Sequence, residues 1–180
     1  MDRTNVILVD ENDNPVGEAE KMQVHLDGSL HRAFSIFIFN SKGEMLLQQR
    51  AVSKYHSGGL WTNACCSHPE PGEETKDAAQ RRLKEEMGFT VPVEKLFDFI
   101  YKASFDNGLT EYEFDHVYAG SYEGPIDFNK EEVMAHCYAS MEALEASLLS
   151  EPDKYTAWFH IAFPKIKAWR QVIGTTTCPG

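Results

Sequence analysis

Apolar and polar residues follow one another along the chain in short runs that predict a sheet with few helices. Seven runs are rich in β-branched and aromatic residues and lie between turn residues, which is the pattern of strands: 6–9, 33–39, 45–48, 60–66, 96–104, 111–119 and 133–139. The second run is almost wholly apolar, which predicts a strand buried on both faces. Asn107-Gly108, between the fifth and sixth runs, is a strong signal for a hairpin turn.

Helical segments are fewer, and three follow from the pattern: 75–87, 141–149 and 155–172. Thr75 is expected to cap the first helix, and Gly88 to supply the left-handed residue after its end. In the third segment, Pro164 either kinks the helix or marks a break. These elements predict an α+β fold or an α/β/α sandwich. With 180 residues, 42% of them apolar, we expect one domain over residues 1–180 with a mobile tail from about residue 174.

Composition narrows the possible partners and the compartment. The formal net charge of −11 disfavours non-specific binding to nucleic acid, and no run of about 18 apolar residues exists, so no membrane span is expected. The N-terminal residues lack the apolar core of a signal peptide, which predicts a cytoplasmic protein. Free thiols fit that reducing compartment: Cys65 and Cys66 are poor partners for a disulfide, Cys137 is expected to be buried, and Cys178 lies in the tail.

Imidazoles and carboxylates recur at spacings that could form a metal site. Cys66 and His68 are two residues apart in a predicted strand, so their side chains share a face, and Glu111 and Glu113 show the same spacing in another strand. His25 and His31 flank a short loop before the apolar strand. Three imidazoles and two carboxylates would suit zinc or another divalent transition metal.

A simpler interpretation of the same residues stays open. The two glutamates alternate with Tyr112 and Phe114, as in any half-exposed strand, and a single histidine is more often a hydrogen-bonded surface residue than a ligand. A lone cysteine such as Cys66 is more often part of the core than catalytic. The other four histidines are interpreted as structural: His56, His116, His136 and His160.

The first helix carries charges that fit a diphosphate. Arg82, Glu85 and Glu86 are three or four residues apart and share one face. A carboxylate on that face could hold Mg²⁺ against a diphosphate, and the arginine offers a fork of donors to phosphate oxygens. Three more cations could complete a basic pocket: Lys21, Arg50 and Lys54. Mixed charge of this kind is also typical of a solvated helix face.

The region from Ser67 to Phe89 resembles a Nudix box, G-x5-E-x7-R-E-U-x-E-E-x-G-U, in which U is apolar. Seven positions match at the required spacing: Glu73, Arg81, Leu83, Glu85, Glu86, Gly88 and Phe89. Ser67 stands in place of the first glycine, and Arg82 in place of the glutamate that follows the arginine. Because that glutamate enlarges the carboxylate cluster of a hydrolase, its replacement by arginine favours gripping a diphosphate over cleaving it.

With Trp-Thr-Asn-Ala-Cys-Cys-Ser-His-Pro at 61–69 and Glu-Tyr-Glu at 111–113, the chain resembles the type I isopentenyl diphosphate isomerases. The resemblance extends from the first strand to Trp158 and implies a Nudix fold, with a mixed sheet between helices. It also implies that the protein interconverts isopentenyl and dimethylallyl diphosphate through a tertiary carbocation. Cys65 is expected to be a spectator beside the catalytic cysteine.

The resemblance assigns residues to four roles. The acid/base pair is Cys66 and Glu113, and the aromatic residues beside the reacting carbons are Tyr101 and Trp158. The metal ligands are His25, His31, His68, Glu111 and Glu113, holding Mn²⁺, Zn²⁺ or Mg²⁺. Glu86 contacts Mg²⁺ on the substrate, and the diphosphate is bound by Lys21, Arg50, Lys54 and Arg82. A monomer or weak homodimer is expected, with the helix at 155–172 as a lid.

Two alternatives remain at this point. One is a Nudix hydrolase of nucleoside diphosphate derivatives, against which Arg82 and the segment from Cys66 to His68 both count. The other is a non-catalytic Nudix-like binding module with a structural zinc. The retained Glu86 and the acid/base pair make this second alternative the weaker one.

Overall fold

The structure, a computed structural model, describes residues 5–175 and the side chains of residues 5–172. The strands are β1 Asn5–Val9, β2 Pro15–Glu20, β3 His31–Phe39, β4 Met45–Arg50, β5 Trp61–Asn63, β6 Cys65–Ser67, β7 Glu94–Ser104, β8 Thr110–Ser121 and β9 Val133–Ala139. The helices are α1 Lys21–Asp27, α2 Thr75–Met87, α3 Met141–Ser150 and α4 Ala157–Thr175, and a 3-10 turn spans Pro152–Lys154. The tail predicted to be mobile, with Cys178, lies outside the described residues beyond Thr175.

The strands form one mixed sheet centred on β3, the strand predicted to be buried on both faces. β3 runs antiparallel to β1, β4 and β6 and parallel to β8. The hairpin predicted at Asn107-Gly108 joins β7 to β8, and Gly108 adopts the positive φ of 82° that such a turn favours. The parallel pairing of β3 and β8 sets His31 opposite Glu113, a register that the site depends on.

Helices cover both faces of the sheet, so the fold is the predicted α/β/α sandwich. On one face, Phe34, Ile36 and Ile38 pack in a buried cluster with Leu83 and Met87 of α2. The opposite face forms a second cluster between Phe37, Phe39 and Val117 of the sheet and residues of α3 and α4: Leu144, Phe159, Ala162, Phe163 and Ile166. Alternation along β3 therefore supplies both cores. Helix α4 continues through Pro164 without a break.

The structure corrects several local predictions. The strand predicted at 60–66 is two short strands, because the chain changes neighbours at Ala64: β5 pairs with β4, and β6 pairs with β3. The N-cap of α2 is Glu74, which has the extended backbone of a cap, and Thr75 is already helical. Cys137 is exposed rather than buried. A bulge between Val133 and Ala135 shifts the face that the later residues of β9 present.

The sequence pattern missed β2 and α1. β2 is mostly exposed and carries Gly17 and two glutamates, so it lacks the apolar alternation of a strand. α1 has seven residues, of which Val24 and His25 are buried, too few for a helical period to stand out. Among the described residues, no helix is both long and apolar enough to cross a membrane.

Candidate active site

One cavity gathers the residues that the sequence singled out. All of the predicted site residues line it except His25 and His31, which are fully buried behind its wall next to His68. A second cavity adjoins the first and shares Lys21, Lys54 and Arg82 with it. We call the imidazole and carboxylate side the metal end, and the side lined by those three cations the basic end.

Three elements bring the metal end together. α1 carries His25 and is held in place at both ends: the Glu20 side chain accepts a hydrogen bond from Gln23 N at 2.9 Å, and Gly28 ends the helix with a φ of 67°. His31 opens β3, and the parallel register places it beside Glu113. His68 follows directly after β6, which pairs with β3.

The spacing of donor atoms at the metal end fits one metal ion. Nε2 of His31 lies 3.2 Å from Nε2 of His68, and Oε1 of Glu113 lies 3.1 Å from His68 and 3.5 Å from His31. An ion about 2.1 Å from each donor would separate them by about 3.0–3.4 Å. With His25 included, the four donor atoms all lie within 4.8 Å of one another. The set therefore suits a divalent ion that accepts nitrogen and oxygen ligands.

The tautomers of two histidines are set by backbone carbonyls. Nδ1 of His25 lies 2.6 Å from the carbonyl oxygen of Lys21, and Nδ1 of His31 lies 2.9 Å from that of Ser29. When the ring is neutral, each contact keeps its proton on Nδ1 and leaves the Nε2 lone pair facing the cluster, as metal-bound histidines require. Nε2 of His25 is buried and has no hydrogen-bond partner among the described residues, which fits a nitrogen that serves as a metal ligand.

The protonation states also favour a cation here. Burial lowers the pKa of His25 to about 4 and that of His68 to about 3, so both rings are neutral near pH 7 and can donate lone pairs. Burial acts the same way on His31, but its hydrogen bond to Glu113 outweighs it and raises the pKa. Positive charge is therefore stabilised between His31 and Glu113, and a divalent ion can supply that charge in place of a proton.

Glu111 and Glu113 share one phenol but face different imidazoles. The Tyr101 hydroxyl lies 2.9 Å from Oε2 of each carboxylate. Oε1 of Glu111 turns instead to Nε2 of His56, at 3.0 Å, and these two residues form a possible metal group with His25. Burial and the charge of Glu113 raise the pKa of Glu111, whereas hydrogen bonds from His31 and His68 overcome burial and hold the pKa of Glu113 well below its usual value. A proton on this pair is therefore favoured on Glu111, and the negative charge is favoured on Glu113.

The Cys66 thiol is fixed on another wall of the cavity. Its Sγ lies 3.1 Å from Oδ1 of Asn63 and 3.5 Å from Oγ of Ser35, which donates a hydrogen bond of 2.7 Å to Asp115. Burial, followed by the nearby Asp115, raises the pKa of the thiol, so the resting side chain carries its proton. Cys65 does not line this cavity and lies instead in the core cluster under α2.

An aromatic side chain closes the cavity above these groups. Trp158, near the start of α4, is 3% exposed and lies edge-on to His56 with ring centroids 5.9 Å apart. The Arg50 guanidinium sits 5.1 Å from the indole centroid, which shows that a cation fits against this ring.

The basic end holds a network of ion pairs around α2. Arg82 contacts Oε1 of Glu86 at 2.7 Å and Oε2 of Glu85 at 2.6 Å, as predicted for residues on one helix face. Oε2 of Glu86 accepts a hydrogen bond from Gln48 at 2.9 Å. Burial, together with the charges of Lys54, Arg82 and Arg50, lowers the pKa of Lys21 to about 8. This concentration of cations would be stabilised by a bound anion.

Two residues of the site were missed or misinterpreted in the sequence. His56, interpreted as structural, is 5% exposed and stacks on Phe105 with ring centroids 4.7 Å apart, so that it faces Glu111. Its loop position carried no periodic signal. Glu132 lies among the cations of the basic end, yet in sequence it is one of two adjacent glutamates. Only the fold distinguishes it from the exposed Glu131.

Comparison with known proteins gives concordant findings. Residues 29–159 match the model of the NUDIX domain family. The chain is 48% identical to an isopentenyl-diphosphate Delta-isomerase of Pectobacterium atrosepticum over 171 residues, which cover 95% of this chain and 96% of that one. It is 50% identical to the enzyme of the same name from Serratia proteamaculans over 154 residues, or 86% of each chain.

Solved structures support the fold. A protein of Deinococcus radiodurans superposes with a TM-score of 0.67 at 21% identity, covering 82% of this chain and 90% of that one. A MutT protein of Methanosarcina mazei gives a TM-score of 0.64 at 20% identity, with coverage of 77% and 94%. At these identities the likeness concerns the arrangement of the sheet and helices alone.

Proposed function

The chain belongs to the NUDIX domain family and, within it, to the isopentenyl-diphosphate Delta-isomerases, and from that membership we propose how the cavity performs the reaction. The protein interconverts isopentenyl and dimethylallyl diphosphate, which requires a proton added at one carbon and another removed two carbons away. One observation carries the assignment of roles: the protonated thiol of Cys66 and the Glu113 carboxylate, hydrogen-bonded to the Tyr101 hydroxyl, line the same cavity.

We assign the two proton-transfer groups to Cys66 and Glu113. The thiol keeps its proton because it is buried, and the Glu113 carboxylate shares the Tyr101 hydroxyl with Glu111, so protons can move within the pair. An acid and a base that flank the alkene can exchange roles in the reverse direction. Tyr101 is assigned to carry a proton between Glu113 and the substrate.

The metal end is assigned to a divalent ion held by His25, His31, His68 and Glu113, with Glu111 beside them. When bound, such an ion would supply positive charge that fixes Glu113 and makes a proton on it more acidic. Mn²⁺, Zn²⁺ and Mg²⁺ are the proposed occupants, and a separate Mg²⁺ is expected to accompany the diphosphate at Glu86.

The remaining residues are assigned to orienting the substrate and excluding water. Lys21, Arg50, Lys54 and Arg82 bind the diphosphate by charge-assisted hydrogen bonds. Trp158 faces the carbons that carry cationic character, and the first turn of α4 shields them from water that would trap a cation as an alcohol. Trp158 is thus assigned to the hydrocarbon end of the substrate, and the cations of the basic end are assigned to its anionic end.

The hydrolase alternative is not retained. The relatives that match most of the chain are named as isomerases, and the box carries Arg82 where a hydrolase has a glutamate. In this protein, that arginine pairs with Glu85 and Glu86. The small diphosphate is the proposed partner, and the expectations of a monomer or weak homodimer, of no nucleic-acid or membrane partner and of a cytoplasmic location stay proposals.

The decisive experiment is incubation of the protein with isopentenyl diphosphate and Mg²⁺ in deuterated water, followed by NMR. Deuterium in the methyl groups of dimethylallyl diphosphate is the expected result, because the added proton comes from solvent through the acid group. Unchanged substrate with folded, metal-loaded protein would contradict the assignment. Release of inorganic phosphate or pyrophosphate would instead favour hydrolysis.

A further inference from the structure

Glu132 is a carboxylate placed among the cations that are assigned to the diphosphate. Its Oε2 lies 2.5 Å from Nζ of Lys54, and its Oε1 lies 3.5 Å from Nη2 of Arg82. With Lys21, these residues line the cavity that adjoins the site. A negative side chain in a pocket for a multiply charged anion opposes binding of that anion, so its presence there calls for a reason.

The backbone around Glu132 is tied to both sides of the pocket. Its carbonyl oxygen accepts a hydrogen bond from Ala51 N at 3.0 Å, and its own N donates to the carbonyl of Asn129 at 3.0 Å. Asn129 N in turn donates to the Glu86 carbonyl of α2 at 2.8 Å. These backbone hydrogen bonds hold the segment against both sides of the pocket, so we expect the Glu132 side chain, and not its backbone, to move when an anion binds.

Glu132 carries its negative charge at neutral pH. Partial burial acts against the ionised carboxylate, but the hydrogen bond from Lys54 and the charges of Lys54, Arg82 and Lys21 prevail, and the pKa lies below its usual value. An incoming anion must therefore compete with a resident carboxylate for the same donors. It also meets electrostatic repulsion at close range in a partly desolvated pocket.

Repulsion of this kind distinguishes two forms of the ligand. Free diphosphate carries two more negative charges than its Mg²⁺ complex, so the carboxylate opposes the free form more strongly. Building on the proposed function, we propose that Glu132 is a specificity-determining residue, which makes the basic end select the Mg²⁺ complex of a diphosphate over the free anion. The negative side chain of Glu132 thus lowers the affinity of the basic end for the free anion more than for the Mg²⁺ complex.

Isothermal titration with inorganic pyrophosphate tests this role. The full chain is titrated in excess Mg²⁺ and in Mg²⁺-free buffer, with the ion at the metal end retained and its content verified in both. In Glu132→Gln, we expect free pyrophosphate to bind about tenfold more tightly and the Mg²⁺ complex to change by less than about twofold. The matched control is Glu131→Gln, an exposed neighbour with the same charge change, and it should behave as wild type.

The direction of the change in affinity shows whether Glu132 selects between the two forms of the ligand or only holds Lys54 in place. If Glu132 only holds Lys54 in place, its loss weakens both forms of the ligand alike, and that result overturns the proposal. Glu132→Asp keeps the charge and should keep the preference for the Mg²⁺ complex, which guards against a folding defect in the glutamine variant. Loss of the preference in a folded aspartate variant with its charge intact would also contradict the proposal.

Two further measurements keep this test separate from the proposed function. Arg82→Ala should weaken both forms of pyrophosphate. Unchanged affinity in that variant would place the ligand elsewhere and overturn the role of Glu132. Turnover of isopentenyl diphosphate by the wild-type sample tests the isomerase independently, so an active enzyme with unaltered selectivity in Glu132→Gln refutes the selectivity role alone.

Discussion

The two ends of the cavity use ionisable side chains in opposite ways. At the metal end, His25 and His31 are fully buried, and backbone carbonyls fix their ring nitrogens. At the basic end, Lys54 and Arg82 are partly exposed and pair with carboxylates through long, flexible stems. The first arrangement gives a fixed geometry, and the second gives charge that can rearrange around an anion. We therefore expect changes at the metal end to act on kcat and changes at the basic end to act on KM.

The largest effect is expected at the thiol. Cys66→Ala removes one proton-transfer group, and such groups contribute about 10²–10⁴-fold in rate. We expect kcat to fall by about 10²-fold or more. The affinity for pyrophosphate should stay within about twofold of wild type, because the basic end is intact. Cys137→Ala, an exposed cysteine, is the control. Unimpaired turnover in Cys66→Ala would rule out its assigned role.

Loss of the metal tests whether the buried imidazoles hold an ion. We expect elemental analysis to find about one tightly bound ion per chain in wild type and very little in His68→Ala. Saturating metal at about 100 times Kd should stabilise the fold by about 2.7 kcal/mol, measurable as a lower Tm after chelation. His136→Ala alters a partly buried histidine that packs on Phe128 instead. Equal metal content in the two variants would refute the ligand set.

Trp158 tests whether the wall above the metal end stabilises positive charge. A desolvated cation–π contact is worth up to about 2 kcal/mol, or about 30-fold in rate. Trp158→Phe, which keeps an aromatic face, should therefore retain much more activity than Trp158→Ala. Because removing a buried indole also costs about 3–5 kcal/mol of stability, rates are compared below the unfolding transition of the alanine variant. Equal rates in the two variants would leave the ring with a packing role alone.

The smallest effect is expected from the ionisation of Lys21 at the basic end. Its pKa is lowered to about 8, chiefly by burial, so its positive charge is lost as the pH rises through that value. KM should rise by up to about tenfold between pH 7 and pH 9, with kcat changing less. Lys21→Arg keeps the charge and should flatten this dependence. If KM still rises with pH in the arginine variant, the pH dependence comes from the ionisation of another group.

The sequence predicted the elements whose residues carry a strong period or a specific spacing. The buried strand β3, the helix that ends at Gly88 and the hairpin at Asn107 were all foreseen, because each depends on local residue types. The helix α1 was not, since only Val24 and His25 of its residues are buried. Local sequence patterns therefore do not predict a short element that is held in place by tertiary contacts.

The same limit applies to the site. Spacing within one strand predicted that Cys66 and His68 share a face, and that Glu111 and Glu113 do too. It could not show that Glu111 faces His56, since that contact joins a loop to β8. The prediction that distant residues come together in one site came from the resemblance to a family. No local pattern in a single sequence indicates such contacts.

The parallel pairing of β3 with β8 has a consequence for folding. It places His31 beside Glu113, two residues far apart along the chain, through a pairing that carries a large loop-closure entropy. Because non-local parallel pairs form slowly, we expect the metal end to be assembled late on the way to the native state. Acquisition of metal during refolding should therefore report completion of the central sheet, after helices such as α2 have formed.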